Sequence, residues 1–193
     1  MSVIRAFIAI DLPSEVLHCL DDVENQLKQS LDGISIRWVP VENIHLTLKF
    51  LGDVSESNID MLTDILQTTV SSFKQFELSV GGLGAYPKPR RPRVIWVGVE
   101  APPELMSAQR SIESEMAHLG YARDKRPFNP HLTLGRVSRH STNKDVRRIA
   151  EVLKSQTVGY IGSARVTAFH LYRSDLKPSG AEYTRLFSAE LME

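Results

Sequence analysis

Hydrophobic residues recur in this chain at two periods, two and 3.6, and the switches between them divide it into strands and helices. An apolar run over 4–10 predicts a strand, closed by Asp11-Leu12-Pro13-Ser14. Val16, Leu17, Leu20, Val23 and Leu27 then share one side of a helix over about 14–31, opened by Pro13 and Ser14 and ended at Asp32-Gly33. A short strand at 36–38 leads through Pro40 to a strand at about 44–51. Ser55 starts a second helix, with Ile59, Leu62, Ile65, Leu66 and Val70 at helical spacing. A strand over 76–83 is followed by a Gly-, Pro- and Arg-rich loop, 84–93, and the β-branched run Val94–Val99. The two runs suit a hairpin with a long loop. Pro102-Pro103 introduces a third helix to about Leu119, stopped by Gly120. A strand at about 130–137 and a helix near 142–154 come next. Strands at about 163–173 and 182–190 then flank a turn at Lys177-Pro178-Ser179-Gly180.

Two of these strands carry the same tetrapeptide, His45-Leu46-Thr47-Leu48 and His131-Leu132-Thr133-Leu134, close to half the chain apart. Strand alternation puts His and Thr on one face and the leucines on the other. Residues two apart on a strand lie roughly 6.6–7 Å from each other, so an imidazole and a hydroxyl can reach one phosphate-sized group. Two such strands facing each other would surround it with two imidazoles and two hydroxyls. That set suits acid–base chemistry on a phosphodiester. One H-x-T is unremarkable in a chain with six histidines. The duplicate, with similar lead-ins (Asn43-Ile44 and Phe128-Asn129-Pro130) and basic residues close behind (Lys49 and Arg136), is a specific signal. The order of elements reads as a duplication: two α+β lobes about a pseudo-twofold axis, within a single bilobal domain over 1–193. The motif strands at about 44–51 and 130–137 would line the groove between the lobes, and the helices would cover the outer sheet faces.

Composition narrows the partners. Lys+Arg and Asp+Glu are equal at 23 each, so bulk charge argues neither for nor against a nucleic-acid partner, and any such contact must come from a local patch. Cys19, the only cysteine, excludes an internal disulfide and fits a reducing cytoplasm. Its place among Val16, Leu17, Leu20 and Val23 predicts a buried helical thiol. No segment has the length of a membrane-spanning helix, and the N-terminus lacks the features of a secretory signal. Localisation is expected to be cytoplasmic.

The paired H-x-T-x motifs resemble those of the 2H phosphoesterase superfamily, and the wider text resembles its RNA 2′,3′-cyclic phosphodiesterase branch, historically called 2′-5′ RNA ligase. The resemblance rests on Arg5-Ala6-Phe7-Ile8-Ala9-Ile10, Arg37-Trp38-Val39-Pro40, Asn43 through Gly52, Pro92 through Val99, Phe128 through Arg136, Leu171-Tyr172-Arg173-Ser174 and Gly180-Ala181-Glu182-Tyr183. It runs over nearly the whole chain. It implies an α+β, LigT-like fold of two pseudo-symmetric lobes, mainly antiparallel sheet, with outer helices and a central groove. It also implies hydrolysis of RNA 2′,3′-cyclic phosphate ends to 2′-phosphates without metal or other cofactor. His45 would be the proton donor and His131 the proton acceptor, with Thr47 and Thr133 binding the non-bridging oxygens. Residue spacing alone leaves the two histidine roles interchangeable.

Other candidates stay open. Arg136 reads as a phosphate clamp or as a solvated strand end, and Lys49, in parity with His45 and Thr47, would extend their positive face. Arg90, Arg91 and Arg93 beside Tyr86 would meet RNA phosphates while Tyr86 stacks on a base, or would be a solvated loop. Phe7 and Trp38 read as core, and His170 as a satisfied core histidine. No C-x-x-C or H-x-x-x-H arrangement marks a metal site. The expected partner is RNA bearing a 2′,3′-cyclic phosphate or a 2′-5′ linkage, tRNA fragments included, handled by a monomer. Two alternatives remain: a small substrate such as ADP-ribose 1″,2″-cyclic phosphate, or a module that binds RNA ends without cleaving them.

Overall fold

The structure, a computed structural model, describes residues 2–178 and 180–193. Its strands are β1 (Val3–Ile10), β2 (Ile36–Trp38), β3 (Leu46–Ser55), β4 (Phe76–Lys88), β5 (Arg91–Glu100), β6 (His131–Val137), β7 (Tyr160–Val166), β8 (Ala168–Lys177) and β9 (Gly180–Glu190). They form two antiparallel sheets, ordered β3-β1-β8-β9 and β2-β6-β5-β4-β7. Leaving β2 aside, the orders correspond strand for strand. Each motif strand, β3 or β6, pairs with the strand that precedes it across a helix. We call the sheet holding β3 the first lobe and the sheet holding β6 the second.

The helices α1 (Ser14–Ser30), α2 (Ile59–Val70), α3 (Pro103–His118) and α4 (Asn143–Ser155) divide equally between the sheets. α2 packs on β9 and α3 on β3 of the first lobe; α1 packs on β7 and α4 on β5 of the second. Each sheet is therefore covered by one helix from either half of the chain, so the halves interleave. Beneath these helices lie the motif leucines, all buried: Leu46, Leu48, Leu132 and Leu134. No helix among the described residues is long and apolar enough to cross a membrane.

The structure departs from the hydrophobic pattern in particular places. Segment 84–93 is a loop only at its tip; β4 and β5 continue through it, pairing Lys88 with Arg91. Its one glycine, Gly84, is a close-approach position, and Gly82 just before the segment makes a bulge. A Cβ at Gly84 would lie 2.2 Å from the Trp96 ring, and Gly82 takes φ +77° at a register shift between Gly81 and Leu83. Gly84 thus resembles a loop residue in sequence but is a close-approach position in a strand, while Gly82 marks a bulge. The run 163–173 is two strands, β7 in one sheet and β8 in the other, with the chain crossing between sheets at Thr167. Both are largely apolar, so no turn residue marks the crossing. The first motif strand begins at Leu46 and runs on to Ser55, and a 3-10 turn at Glu56–Asn58 precedes α2. Cys19 is exposed, because the buried line of α1 is Val16, Leu20, Glu24 and Leu27. The expected turn residue Ser179 lies outside the described residues.

Because Leu132 is fully buried on the helix side of its motif strand, Leu132→Ala should lower unfolding free energy by about 2–5 kcal/mol. Urea denaturation followed by circular dichroism measures this; a loss well under 1 kcal/mol would mean the strand is not anchored as described.

Candidate active site

From His45 to Leu51 and from His131 to Val137 the burial sequence is the same: half-buried, buried, half-buried, buried, buried, exposed, buried. Strict alternation breaks at the same place in both. In the first lobe the register steps from Ala9↔Thr47 to Ile8↔Lys49, leaving Leu48 as the extra residue. In the second it steps from Trp96↔Thr133 to Ile95↔Gly135, leaving Leu134. A β-bulge of this kind sends two successive side chains inward and inverts parity beyond it. His45 and Thr47 therefore share their face with Phe50, and His131 and Thr133 share theirs with Arg136.

Lys49, expected on the polar face, is turned inward by the bulge and buried. Its ammonium lies 2.6 Å from Glu113 Oε1 on α3 and also donates to the Ala122 carbonyl. Glu113 accepts from the Asp124 amide as well. Lys49 thus ties the first motif strand to the segment leading into the second motif.

The two imidazoles are held alike. His45 Nδ1 lies 2.8 Å from the carbonyl of Asn43, and His131 Nδ1 lies 2.7 Å from that of Asn129. A carbonyl only accepts, so Nδ1 carries the hydrogen in each ring and Nε2 is left for chemistry. The Asn43 side chain in turn donates to the Ala181 carbonyl of β9, which fixes the segment before His45. Aromatic rings set the remaining orientation. His45 stacks on Phe7 of β1 (4.7 Å, 26°) and meets Tyr183 of β9 edge-on (5.2 Å, 84°). His131 meets Tyr86 edge-on (5.0 Å, 82°), with Trp96 of β5 at 6.1 Å. Phe7, read as core from its sequence, is buried but serves as the floor beneath His45. Trp38 does pack on the core.

Burial pushes the His45 pKa below that of a free imidazole, and the Asn43 carbonyl and Asp11 carboxylate partly oppose this. Behind Phe7 a second polar network closes the first lobe. The Tyr172 hydroxyl donates to Asp11 at 2.7 Å, and Arg185 donates to both Asp11 and the Tyr172 oxygen. Burial, together with the Asp11 carboxylate, pushes Tyr172 up to about 12. His170 adjoins this network with Nδ1 2.9 Å from Ser188 Oγ, as a satisfied interior histidine. A cavity of ≈ 450 Å³ opens beside His45, lined among others by Asp11, Tyr172, Tyr183 and Arg185.

The lobes meet at the motif strands, where β3 and β6 are in contact. Burial raises the Tyr183 pKa, and Arg136 and Arg37 from the second lobe pull it back, so their charges reach a phenol that touches His45. Tyr86 lies in β4 against His131. Arg90 and Arg91 are exposed at the hairpin tip, and Arg93 donates to the Ser138 carbonyl. Nothing local in the sequence marks Phe50, Trp96, Tyr172, Tyr183 or Asp11 for the site. The one available signal was the repeated Asn two positions before each motif histidine.

The family model of the 2′-5′ RNA ligase superfamily matches residues 16–178. The chain belongs to that superfamily. Among its relatives, the RNA 2′,3′-cyclic phosphodiesterase of Methanothermobacter thermautotrophicus is 36% identical over 94% of this chain and 95% of its own length. The protein of the same name from Archaeoglobus fulgidus is 34% identical, over 94% and 97%. Of solved structures, the E. coli LigT complex with 3′-AMP matches with a TM-score of 0.78 at 29% identity, covering both chains fully. A Thermus thermophilus protein reaches 0.80 at 25% identity over 97% of each chain. The superfamily fold is thus the α+β, two-lobed arrangement described above.

Lys49→Met should destabilise this superfamily member by about 3–5 kcal/mol, the usual effect of leaving a buried partner uncompensated. Adding Glu113→Gln should recover part of the loss. An unchanged denaturation midpoint in Lys49→Met, with activity lost, would return Lys49 to the substrate face.

Proposed function

We propose that this chain is an RNA 2′,3′-cyclic phosphodiesterase that opens cyclic phosphate ends to 2′-phosphates in the groove between the lobes of one bilobal domain. The observation that carries this reading is the identical lock on two imidazoles, each with Nδ1 on a backbone carbonyl and Nε2 without a hydrogen-bond partner among the described residues. The names of the relatives support the same substrate class.

In the reaction, His131 Nε2 takes the proton of a water whose oxygen attacks phosphorus. His45 Nε2 gives its proton to the 3′ oxygen as the P–O3′ bond breaks, leaving the phosphate on the 2′ oxygen. Each proton transfer is worth about 10²–10⁴ in rate. Thr47 and Thr133 donate to the non-bridging oxygens and hold the charge that develops there. Two imidazoles supply both proton transfers, so the step calls on no metal and no nucleoside triphosphate. The donor and acceptor roles follow the family pattern. With an RNA 5′-hydroxyl attacking in place of water, the same groups run toward a 2′-5′ linkage. Water, being abundant, favours hydrolysis. RNA ends such as those of tRNA halves fit as substrates, and a cytoplasmic monomer contains every group the reaction uses.

An oligoribonucleotide ending in a 2′,3′-cyclic phosphate, incubated with EDTA, tests the reading. Wild type should form the 2′-phosphate, and His45→Ala and His131→Ala should each lose about 10²-fold or more in kcat while keeping the wild-type melting profile. Near-wild-type rates in either variant would refute two-histidine catalysis, and a 3′-phosphate product would exchange the roles.

The pH profile gives a second test. His45 must be protonated to act as donor, and burial holds its pKa below the ordinary value. The kcat/KM of the free enzyme should therefore fall as pH rises, along a limb centred below about 6.5. A limb centred well above neutrality would contradict the assignment.

A further inference from the structure

Arg37 of β2 stands directly opposite Arg136 of β6 in the antiparallel register. Opposed residues of such a pair carry their side chains to one face. The Leu134 bulge has already put Arg136 on the face of His131 and Thr133, so Arg37 is there too. The register of β2 is itself fixed. The neighbouring pair is Trp38↔Gly135, and the indole lies so close over the glycine that a Cβ there would be 2.9 Å from the ring. The Val39 amide also donates to the Leu134 carbonyl at 2.8 Å.

Both guanidinium groups belong to exposed residues, and among the described residues neither is ion-paired with a carboxylate. Like charges directly opposed across a ladder are destabilising. Two cations at opposed positions of one ladder, with no counter-ion among the described residues, make a site for an anion, and guanidinium geometry suits phosphate oxygens. The pair also faces the other lobe, since both charges reach the Tyr183 phenol that touches His45.

Its position along the strand identifies which phosphate. Opposite β6, the partner of Thr133 is Trp96 and the partner of Arg136 is Val94. The arginine row is thus two residues, or roughly 6.6–7 Å, beyond the Thr133 row. That displacement is about one nucleotide of a single strand away from the group held between His131 and Thr133. We propose that Arg37, together with Arg136, binds the internucleotide phosphodiester next to the cyclic end, making Arg37 a specificity residue for RNA chains over mononucleotides. The proposal rests on the diesterase reading above. It also accounts for RNA binding by a chain with no net charge, because the attraction is confined to one face.

The test compares wild type, Arg37→Ala and Arg37→Lys on two substrates, an oligoribonucleotide with a 2′,3′-cyclic end and a nucleoside 2′,3′-cyclic phosphate. Arg37→Ala should lose about ten-fold or more in kcat/KM on the oligonucleotide and stay within about two-fold on the mononucleotide. The salt dependence for the oligonucleotide should flatten by about 0.7 in log–log slope, one phosphate contact fewer. Arg37→Lys should keep that slope and part of the rate. Equal losses on both substrates would assign Arg37 to the reactive phosphate and overturn the proposal, as would no loss on either. Should Arg37→Ala fail to fold, Arg37→Gln carries the same comparison. Should wild type itself lack turnover, the diesterase reading fails alone. Anisotropy with an oligonucleotide ending in a 2′-phosphate, competed by a nucleoside 2′-phosphate, then decides the clamp. A ten-fold selective loss for the oligonucleotide in Arg37→Ala upholds it; equal affinity overturns it.

Discussion

A single hydrogen bond, made twice, organises this site: the Nδ1 of a motif histidine against the carbonyl two residues before it. It selects the tautomer, aims Nε2 away from the backbone, and needs nothing from a second chain. A free imidazole on a strand would sample several orientations and both tautomers. With Nδ1 held and aromatic rings on its faces, each ring loses that freedom during folding rather than at substrate binding, which is the physical content of preorganisation. Differences between the lobes are laid over this common lock. His45 rests on Phe7 and is backed by the Asp11–Tyr172–Arg185 network, whereas His131 rests between Tyr86 and Trp96. The two nitrogens are thus held alike but are not electrically equivalent.

The lock is rigid because the strands that carry it are anchored from behind. The motif leucines are buried on the helix-covered sides of the sheets, and the bulge at Leu48 or Leu134 adds one more inward-facing position to each strand. In the second lobe that inward position is Gly135, which leaves room for Trp38. In the first it is Lys49, which reaches Glu113 and the backbone leading toward the second motif. One irregularity therefore gives each lobe a different device: a place for a short arginine-bearing strand in one, and a brace between the two motifs in the other.

The features legible in the sequence were those with local periodicity. The strands over 4–10, 36–38 and 130–137, all four helices and the duplicated His-x-Thr face follow from alternation and helical spacing, and the fold class follows from their order. Illegible were the features set by a partner strand. Leucine carries no bulge signature, so simple parity put Lys49 outside and gave no reason for Arg136 to face the site. Gly84 looks like a loop residue because a sequence does not display the Trp96 ring that needs its space, and Gly82 gives no local sign of the bulge it makes between Gly81 and Leu83. Phe7, Trp96, Tyr172 and Tyr183 lie far from the motifs along the chain and reach the imidazoles only through sheet pairing. Cys19 stands one helical position off the buried line, enough to put it in solvent although its neighbours in sequence are apolar.

The most direct measurement is a crystal structure of the protein with a nucleoside 2′-phosphate bound. The two locks should converge on one phosphate, with an oxygen about 3 Å from Nε2 of both His45 and His131 and the Thr47 and Thr133 hydroxyls donating to it. A phosphate held by only one motif, or a ring turned so that Nδ1 faces the ligand, would contradict the account.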